Sequence, residues 1–159
     1  MKYFLLVAVL LLAVGGGLFF LNPGVVGEDL TVAYKVVRVV DGDTIVVVGE
    51  DYSGKVRVIG VDAPEVSGEE CYSGEAKARV EGWILGDYVN LVRDVDEFDD
   101  YGRLLAYVRF DGGDLGVRLA SGGFVRYMTV EPNTVMRDVL MSNVYSAKDD
   151  GRGLWDVCF

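Results

Sequence analysis

Residues 55–65 (KVRVIGVDAPE) restrict the possible fold of this chain more than any other segment. Val56, Val58 and Val61 are β-branched, and β-branched residues favour a half-buried strand. Pro64 has no backbone N–H, so it cannot continue the hydrogen-bonded ladder of a sheet. The segment is therefore predicted to be a strand that ends in a polar turn, and neighbouring segments must supply the strands that pair with it.

Three charged side chains lie on this strand and at its end. Arg57 carries a planar guanidinium that can bind two phosphate oxygens at once. Asp62 and Glu65 carry carboxylates, which are hard ligands for Ca²⁺ or Mg²⁺ and can also orient or deprotonate a water. Together these groups are suited to cleaving a phosphodiester. Charged residues are also common at the ends of surface strands, so a turn with solvated charges remains open at this point.

The acidic balance of the chain restricts how it can bind a polyanion. The 159 residues, the length of one domain, include 25 acidic and 15 basic residues, and the formal net charge is −10. Bulk charge therefore repels nucleic acid, and such a substrate would require metal ions and a local group of arginines. The sequence contains no histidine, which argues strongly against zinc hydrolases and Ser-His-Asp hydrolases.

The N-terminal region predicts export. Residues 3–21 are an uncharged apolar run behind Lys2, and the run is long enough to span a bilayer. It is either a cleaved signal peptide, with a small-x-small site at residues 13–15, or an uncleaved signal anchor. We favour the anchor, because cleavage would leave the apolar residues 18–21 exposed. Since the positive charge precedes the run, the domain should lie outside the cytoplasm, membrane-anchored or, after cleavage, secreted.

The remaining chain is predicted to be a linker, residues 22–29, and one domain, residues 30–159. Short turns between runs of β-branched residues predict a meander of strands rather than alternating strands and helices. Helical spacing of apolar residues predicts a helix over residues 75–86, and Asn133 is a suitable N-cap for a second long helix. Besides the strand in residues 55–65, strands are predicted at residues 31–40, 44–48, 88–93 and 103–110. A short helix is predicted at residues 115–120, and the long helix at residues 133–147.

Three blocks of sequence resemble the signature blocks of the staphylococcal nuclease family, in the family's order. They are residues 40–45 (VDGDTI), 56–65 (VRVIGVDAPE) and 100–108 (DYGRLLAYV). The resemblance covers roughly residues 31–155. It implies an α+β fold, a five-stranded OB barrel with helices packed around it, here preceded by an N-terminal apolar helix.

The resemblance also implies a metal site and a general base. Asp43 and Asp62 would bind Ca²⁺, helped by the main-chain carbonyl of Ala63. Glu65 would contact the metal through water, and it would act as the general base or orient the attacking water. In this interpretation Ca²⁺ is the cofactor.

Two arginines and two tyrosines complete the implied site. Arg57 and Arg103 would bind the scissile phosphate and stabilise the charge of the transition state. Tyr101 has the position of a nucleotide-contacting tyrosine, whereas Tyr127 lies near the family's pair of base-facing tyrosines but out of register. Asp100 stands where the family has a phosphate-binding lysine, which should weaken phosphate binding.

The implied function is Ca²⁺-dependent hydrolysis of DNA and RNA by a monomer. Single strands would be preferred, and the products would carry 5′-hydroxyl and 3′-phosphate ends. The alternative is a non-catalytic OB module at the cell surface that binds nucleic acid or protein. The enzyme is favoured because a module without catalytic demand has little reason to retain the whole set of charged residues, Asp43, Arg57, Asp62, Glu65 and Arg103.

Cys71 and Cys158 are the two cysteines of the chain. Export would place them in an oxidising environment, where a bridge between them would close a long loop. The residues alone leave open a disulfide and two free thiols. Similar paired cysteines in exported relatives of the family favour the disulfide.

Overall fold

The computed structural model describes residues 32–159. The predicted signal or anchor at residues 1–21, with its apolar helix, and the predicted linker at residues 22–29 lie outside the described residues. Within residues 32–159, none of the helices combines the length and the apolar character needed to cross a bilayer.

Five strands form a closed barrel, as predicted. The strands of the described chain are β1 (Ala33–Val39), β2 (Thr44–Val48), β3 (Ser53–Val58), β4 (Val61–Asp62), β5 (Tyr88–Val92), β6 (Leu104–Phe110), β7 (Gly113–Asp114) and β8 (Arg126–Tyr127). Neighbouring strands of the mixed sheet follow the order β3-β2-β1-β5-β6-β7, and the parallel pairing of β3 with β6 closes the barrel. β-Branched and aliphatic side chains fill the interior, including Val36, Val47, Val56 and Leu104.

The strand predicted from residue 55 onward is interrupted. β3 ends at Val58, and Gly60 has a φ of 81°, a backbone conformation that residues with a Cβ rarely adopt. β4 then leaves the barrel sheet and pairs with β8, with Asp62 opposite Arg126. The interruption therefore places Asp62 and the turn after it on a second small sheet.

Helices cover the barrel. α1 (Ser73–Ile84) starts two residues before its predicted position, and it buries Ala76, Val80 and Ile84. α2 (Leu115–Gly122) begins after Asp114, whose side chain accepts a hydrogen bond from the main-chain N of Val117 at 3.0 Å. α3 (Arg137–Asp149) and the short α4 (Leu154–Val157) complete the helices of the described residues.

The prediction that Asn133 caps the long helix is wrong. α3 begins at Arg137, and its N-cap residue is Met136. Asn133 is instead buried, and its side-chain amide accepts from the main-chain N of Asp96 and donates to the main-chain O of Asp96, both at 2.8 Å. A buried amide that can satisfy two main-chain groups is stabilised there more than at a helix end.

A disulfide joins Cys71 to Cys158. Their Cα atoms lie 6.0 Å apart, although 87 positions separate the two residues in sequence. The bridge therefore connects the loop that follows Glu65 to the C-terminal end of the described chain.

Candidate active site

Strand register brings the predicted site residues together. Thr44 pairs with Arg57 across β2 and β3, so Asp43, directly before β2, lies beside the end of β3. The main-chain O of Asp43 accepts a hydrogen bond from the N of Val58 at 2.8 Å. β6 runs parallel to β3, which brings Arg103, directly before β6, to the same region. Neighbouring strands therefore contribute the two arginines and the first carboxylate.

Arg57 is a buried cation between two carboxylates. Its Nη1 lies 2.8 Å from Oδ2 of Asp43 and donates to the main-chain O of Val61, also at 2.8 Å. Its Nη2 lies 3.5 Å from Oδ1 of Asp62. The side chain of Asp62 is 41% exposed, whereas those of Arg57 and Asp43 are almost fully buried. The guanidinium is therefore held firmly through Nη1, and Nη2 has a weaker contact near solvent.

Asp43 also organises the turn after β4. Its Oδ2 accepts a short hydrogen bond, 2.6 Å, from the main-chain N of Ala63, and its Oδ1 accepts one from the hydroxyl of Thr44 at 3.0 Å. Burial raises the pKa of Asp43 to about 7, although the charge of Arg57 and the hydrogen bond from Ala63 oppose that shift. The nearby carboxylate of Asp41 raises the pKa further.

Asp41 is a site residue that sequence reasoning missed. It lies within the block at residues 40–45 without an assigned role, but it is buried, and its Oδ1 accepts a hydrogen bond from the main-chain N of Asp43 at 3.3 Å. The sequence signal for Asp41 was the Asp-Gly-Asp pattern at residues 41–43. In a tight turn, two acids separated by one glycine can direct their carboxylates to the same region. Two buried carboxylates therefore lie at this turn.

Glu65 lies in the electrostatic field of the same group. Its main-chain N donates to the carboxylate of Glu70 at 3.2 Å, which fixes the loop, while its own side chain is exposed. Partial desolvation raises the pKa of Glu65; the charges of Asp41, Glu70 and Asp62 raise it too, and that of Arg57 lowers it. Glu65 is therefore near enough to these charges for them to influence the protonation of its carboxylate.

Arg103 is held by Asp99, a second residue that sequence reasoning missed. Nε of Arg103 lies 2.6 Å from Oδ2 of Asp99. Oδ1 of Asp99 accepts from the main-chain N atoms of Arg103 and Tyr101, at 2.9 and 3.0 Å. Burial acts to raise the pKa of Asp99, but these hydrogen bonds outweigh burial and the pKa is lowered. The sequence signal for this ion pair is an acid four residues before an arginine across a predicted turn.

A concavity of about 370 Å³ opens beside these residues. Its lining consists of Lys55, Glu65, Tyr101 and Arg103. Tyr101 is 85% exposed, and the guanidinium of Arg103 lies 5.4 Å from the centre of its ring. The concavity is therefore open to solvent and combines a carboxylate, two cations and an accessible aromatic ring.

Tyr127 lies elsewhere. It sits on β8 opposite Val61, and its hydroxyl accepts a hydrogen bond from the hydroxyl of Thr129 at 3.3 Å. It does not line the concavity beside Glu65 within the described part of the chain. The structure thus groups Tyr101 with the predicted catalytic residues and leaves Tyr127 outside that group.

The sequence comparison agrees with this geometry. The family model described as Staphylococcal nuclease homologue matches residues 55–157, well over half of the chain. The chain belongs to the staphylococcal nuclease family. The matched region contains Arg57, Asp62, Glu65 and Arg103, while Asp43 lies before it.

Curated relatives of this family member are similar over most of its length. It is 32% identical to the Thermonuclease of Staphylococcus hyicus over 126 residues, which is 77% of this chain and 75% of the relative. It is 31% identical to the Thermonuclease of Staphylococcus intermedius over 128 residues, covering 78% and 76%. It is 36% identical to the Endonuclease YncB of Bacillus subtilis over 124 residues, covering 74% of this chain and 59% of the relative.

The donor set of this family member fits a hard divalent cation. No three acidic, histidine or cysteine side chains between residues 32 and 159 converge as a preformed metal site. However, Asp43 and Asp62 both contact the guanidinium of Arg57, Asp41 contacts the main chain of Asp43, and oxygen is the donor that Ca²⁺ prefers. Burial and the charge of Asp41 raise the pKa of Asp43, although the charge of Arg57 acts in the opposite direction. A bound cation would supply further compensation.

Proposed function

We propose that this chain is a Ca²⁺-dependent nuclease. It would hydrolyse DNA and RNA, preferably single strands, and leave 5′-hydroxyl and 3′-phosphate ends. Membership of the staphylococcal nuclease family and similarity to relatives named Thermonuclease and Endonuclease support a nuclease. The observation that carries the proposal for this site is the buried guanidinium of Arg57 between Asp43 and Asp62, with Glu65 and Arg103 at the adjacent concavity.

The two arginines bind and orient the phosphate. Arg57 is fixed through Nη1, so Nη2 is the group that can reach a non-bridging phosphate oxygen. Asp99 holds Arg103 through Nε, which leaves the two terminal amino groups of Arg103 for the substrate. Fixed cations stabilise the charge that develops on the phosphoryl oxygens without reorganising during the reaction.

Glu65 moves the proton in this proposal. A carboxylate oxygen of Glu65 accepts a proton from the attacking water, and the water oxygen forms a bond to phosphorus. The bond from phosphorus to the 5′ oxygen breaks, the 5′ oxygen takes a proton from solvent, and the phosphate remains on the 3′ oxygen. The position of Glu65 in the lining of the same concavity as Arg103 supports this role.

Asp43, Asp62 and the main-chain carbonyl of Ala63 are proposed to hold the Ca²⁺. When bound, the ion supplies positive charge for the phosphate and its transition state and lowers the pKa of nearby water. Asp41, which lies beside Asp43, adds negative charge that favours cation binding.

We also propose that the protein works outside the cytoplasm as a monomer. The apolar run at residues 3–21 supports export, with the domain anchored in the membrane or, after cleavage, secreted. The net charge of −10 favours cation-dependent binding of nucleic acid over binding by bulk charge.

The first experiment measures cleavage of a single-stranded DNA oligonucleotide by the full chain in Ca²⁺ and in EDTA. We expect cleavage only with Ca²⁺, and mapping of the products should give 3′-phosphate ends. Equal cleavage in EDTA would contradict the metal requirement, and 5′-phosphate ends would contradict the proposed bond cleavage. Folded protein that binds the oligonucleotide but does not cut it with Ca²⁺ would support the non-catalytic OB module instead.

A further inference from the structure

Lys55 is a cation of the concavity that the proposed mechanism does not use. It lines the concavity together with Glu65, Tyr101 and Arg103. It lies on β3 and is exposed to solvent. Its ammonium group is therefore accessible to a ligand that enters the concavity.

The ammonium group of Lys55 has no partner in the described residues, unlike the arginines. Carboxylates pair with Arg57 and with Arg103 at distances down to 2.8 and 2.6 Å, respectively. Across residues 32–159, the side chain of Lys55 forms neither an ion pair nor a hydrogen bond, whereas its main-chain O accepts a hydrogen bond from the hydroxyl of Tyr52 at 2.7 Å. In a chain of net charge −10, an unpaired cation beside a phosphate site is available for an anionic ligand.

Strand geometry aligns Lys55 with the two arginines. Lys55 and Arg57 are two positions apart on β3, so they lie on the same face, with Cα atoms roughly 6.6 Å apart. The parallel pairing of Val56 with Leu104 brings the preceding residues, Lys55 and Arg103, alongside each other. The three cations therefore form a row from the buried Arg57 to the exposed Lys55.

We propose that Lys55 binds a substrate phosphate adjacent to the scissile one. The inference rests on the proposed nuclease function, and it makes Lys55 a residue that favours polynucleotides over substrates with a single phosphodiester. An ammonium is a compact point charge suited to a phosphate, and the exposed ring of Tyr101 is available for stacking with a base. Arg57 and Arg103 bind the scissile group, whereas Lys55 determines how strongly the flanking chain is held.

The test compares two kinds of dinucleotide in Ca²⁺. The first kind contains only the scissile phosphodiester. The second kind carries one additional phosphate, and it is used in two forms, one with that phosphate at the 5′ end and one with it at the 3′ end. For Lys55→Ala in the full chain, we expect KM to rise roughly five- to thirtyfold for one of the phosphorylated substrates. KM for the unphosphorylated dinucleotide and kcat for all substrates should stay within about twofold of wild type. The substrate that responds identifies the side on which the bound phosphate lies.

Two matched variants control for charge and folding. Lys55→Arg retains the positive charge and should recover most of the lost affinity. Lys77→Ala removes one positive charge from α1, where Lys77 pairs with Glu81 at 3.9 Å. It should leave KM unchanged for both the phosphorylated and the unphosphorylated dinucleotides. Thermal unfolding of each variant checks that the fold is intact.

A binding measurement separates this inference from the catalytic proposal. Glu65→Gln removes the proposed base, so the affinity of uncut single-stranded DNA can be measured by fluorescence anisotropy over a range of salt concentrations. Adding Lys55→Ala should weaken binding and reduce the slope of log affinity against log salt by about 0.7. An unchanged affinity and slope would overturn the role of Lys55, even if the wild-type chain cleaves DNA.

The kinetic outcomes are equally distinct. An equal rise in KM for phosphorylated and unphosphorylated dinucleotides would overturn the inference, because Lys55 would then act at the scissile phosphate. Absence of any cleavage by wild-type protein would refute the nuclease proposal alone. The binding measurement would then decide the role of Lys55.

Discussion

Replacing Asp99 by asparagine separates two functions of the carboxylate that holds Arg103. Oδ1 accepts two main-chain N–H groups of the loop, whereas Oδ2 pairs with Nε of Arg103 at 2.6 Å. Asparagine keeps an acceptor oxygen for the loop but replaces the other oxygen by an amino group, which cannot accept from Nε. Asp99→Asn should therefore preserve the turn and release the guanidinium of Arg103.

The magnitude follows from the exposure of the pair. A hydrogen bond between charged groups contributes about 1.5–3 kcal/mol, and solvent screening reduces this value. The side chains of Asp99 and Arg103 are 16% and 26% exposed, so we take the lower end, about 1.5 kcal/mol. If orientation of Arg103 is needed mainly in the transition state, kcat/KM should fall about tenfold.

The assay measures kcat/KM on single-stranded DNA together with urea unfolding. Asp100→Asn is the matched control, because it makes the same charge change at the next residue. Asp100 is exposed and forms no hydrogen bond or ion pair with the described chain. We expect Asp100→Asn to leave kcat/KM unchanged or to raise it slightly, since it removes a negative charge near the phosphate site.

Two results would refute this reasoning. Wild-type kcat/KM for Asp99→Asn would mean that Arg103 needs no partner to be positioned. A higher kcat/KM would mean that Asp99 competes with the phosphate for Arg103 rather than orienting it.

The pH dependence of stability gives an independent test of the same carboxylate. The folded-state pKa of Asp99 lies below its unfolded value, so its stabilising effect is present above the unfolded pKa. That effect is lost as the pH falls through the folded pKa. The difference in free energy of unfolding between wild type and Asp99→Asn should therefore shrink on acidification. A difference that grows at acidic pH would contradict the lowered pKa.

Three other changes test the catalytic base, the disulfide and a glycine. Glu65→Gln should lower kcat by orders of magnitude with little change in urea stability, and near-wild-type turnover would remove Glu65 from the mechanism. Replacing Cys71 and Cys158 by serine should lower the free energy of unfolding by about 4–5 kcal/mol, because the unfolded chain would no longer be restricted by a loop closed across 87 positions. A loss below about 1 kcal/mol in urea unfolding would contradict this value. Gly123→Ala should destabilise by about 2 kcal/mol or more, because φ is 72° and the new Cβ would lie 2.0 Å from a main-chain oxygen. Gly82→Ala in α1 is its control and should be neutral or stabilising in thermal unfolding, since the new Cβ meets nothing within 4 Å.

Local signals were sufficient for the strands and for most of the site. β-Branched runs and short turns predicted the barrel strands to within a few residues, because alternation and turn chemistry are properties of neighbouring positions. The motifs at residues 40–45, 56–65 and 100–108 identified the family and the candidate residues. The roles assigned to Asp43, Arg57, Asp62, Glu65 and Arg103 remain predictions, and the structure supports them by bringing those residues together.

Other features depended on contacts between distant segments. Asn133 was predicted to be a helix cap, but the main-chain N and O of Asp96, 37 positions away, satisfy its amide instead. Tyr127, a predicted substrate contact, pairs with β4 and lies outside the concavity, and its role stays a prediction. Residues 71 and 158 could not be paired from sequence with certainty, since their distance depends on the whole fold.

The sequence alone therefore determined which residues could perform the chemistry, because side-chain type and local spacing are properties of the sequence. The tertiary structure decided which of them meet. The parallel register of β3 and β6 brings Lys55 beside Arg103, and burial at the β1–β2 turn adds Asp41 to the acidic group. Register and burial result from packing the closed barrel, in which a shift of one residue would turn each side chain to the opposite face.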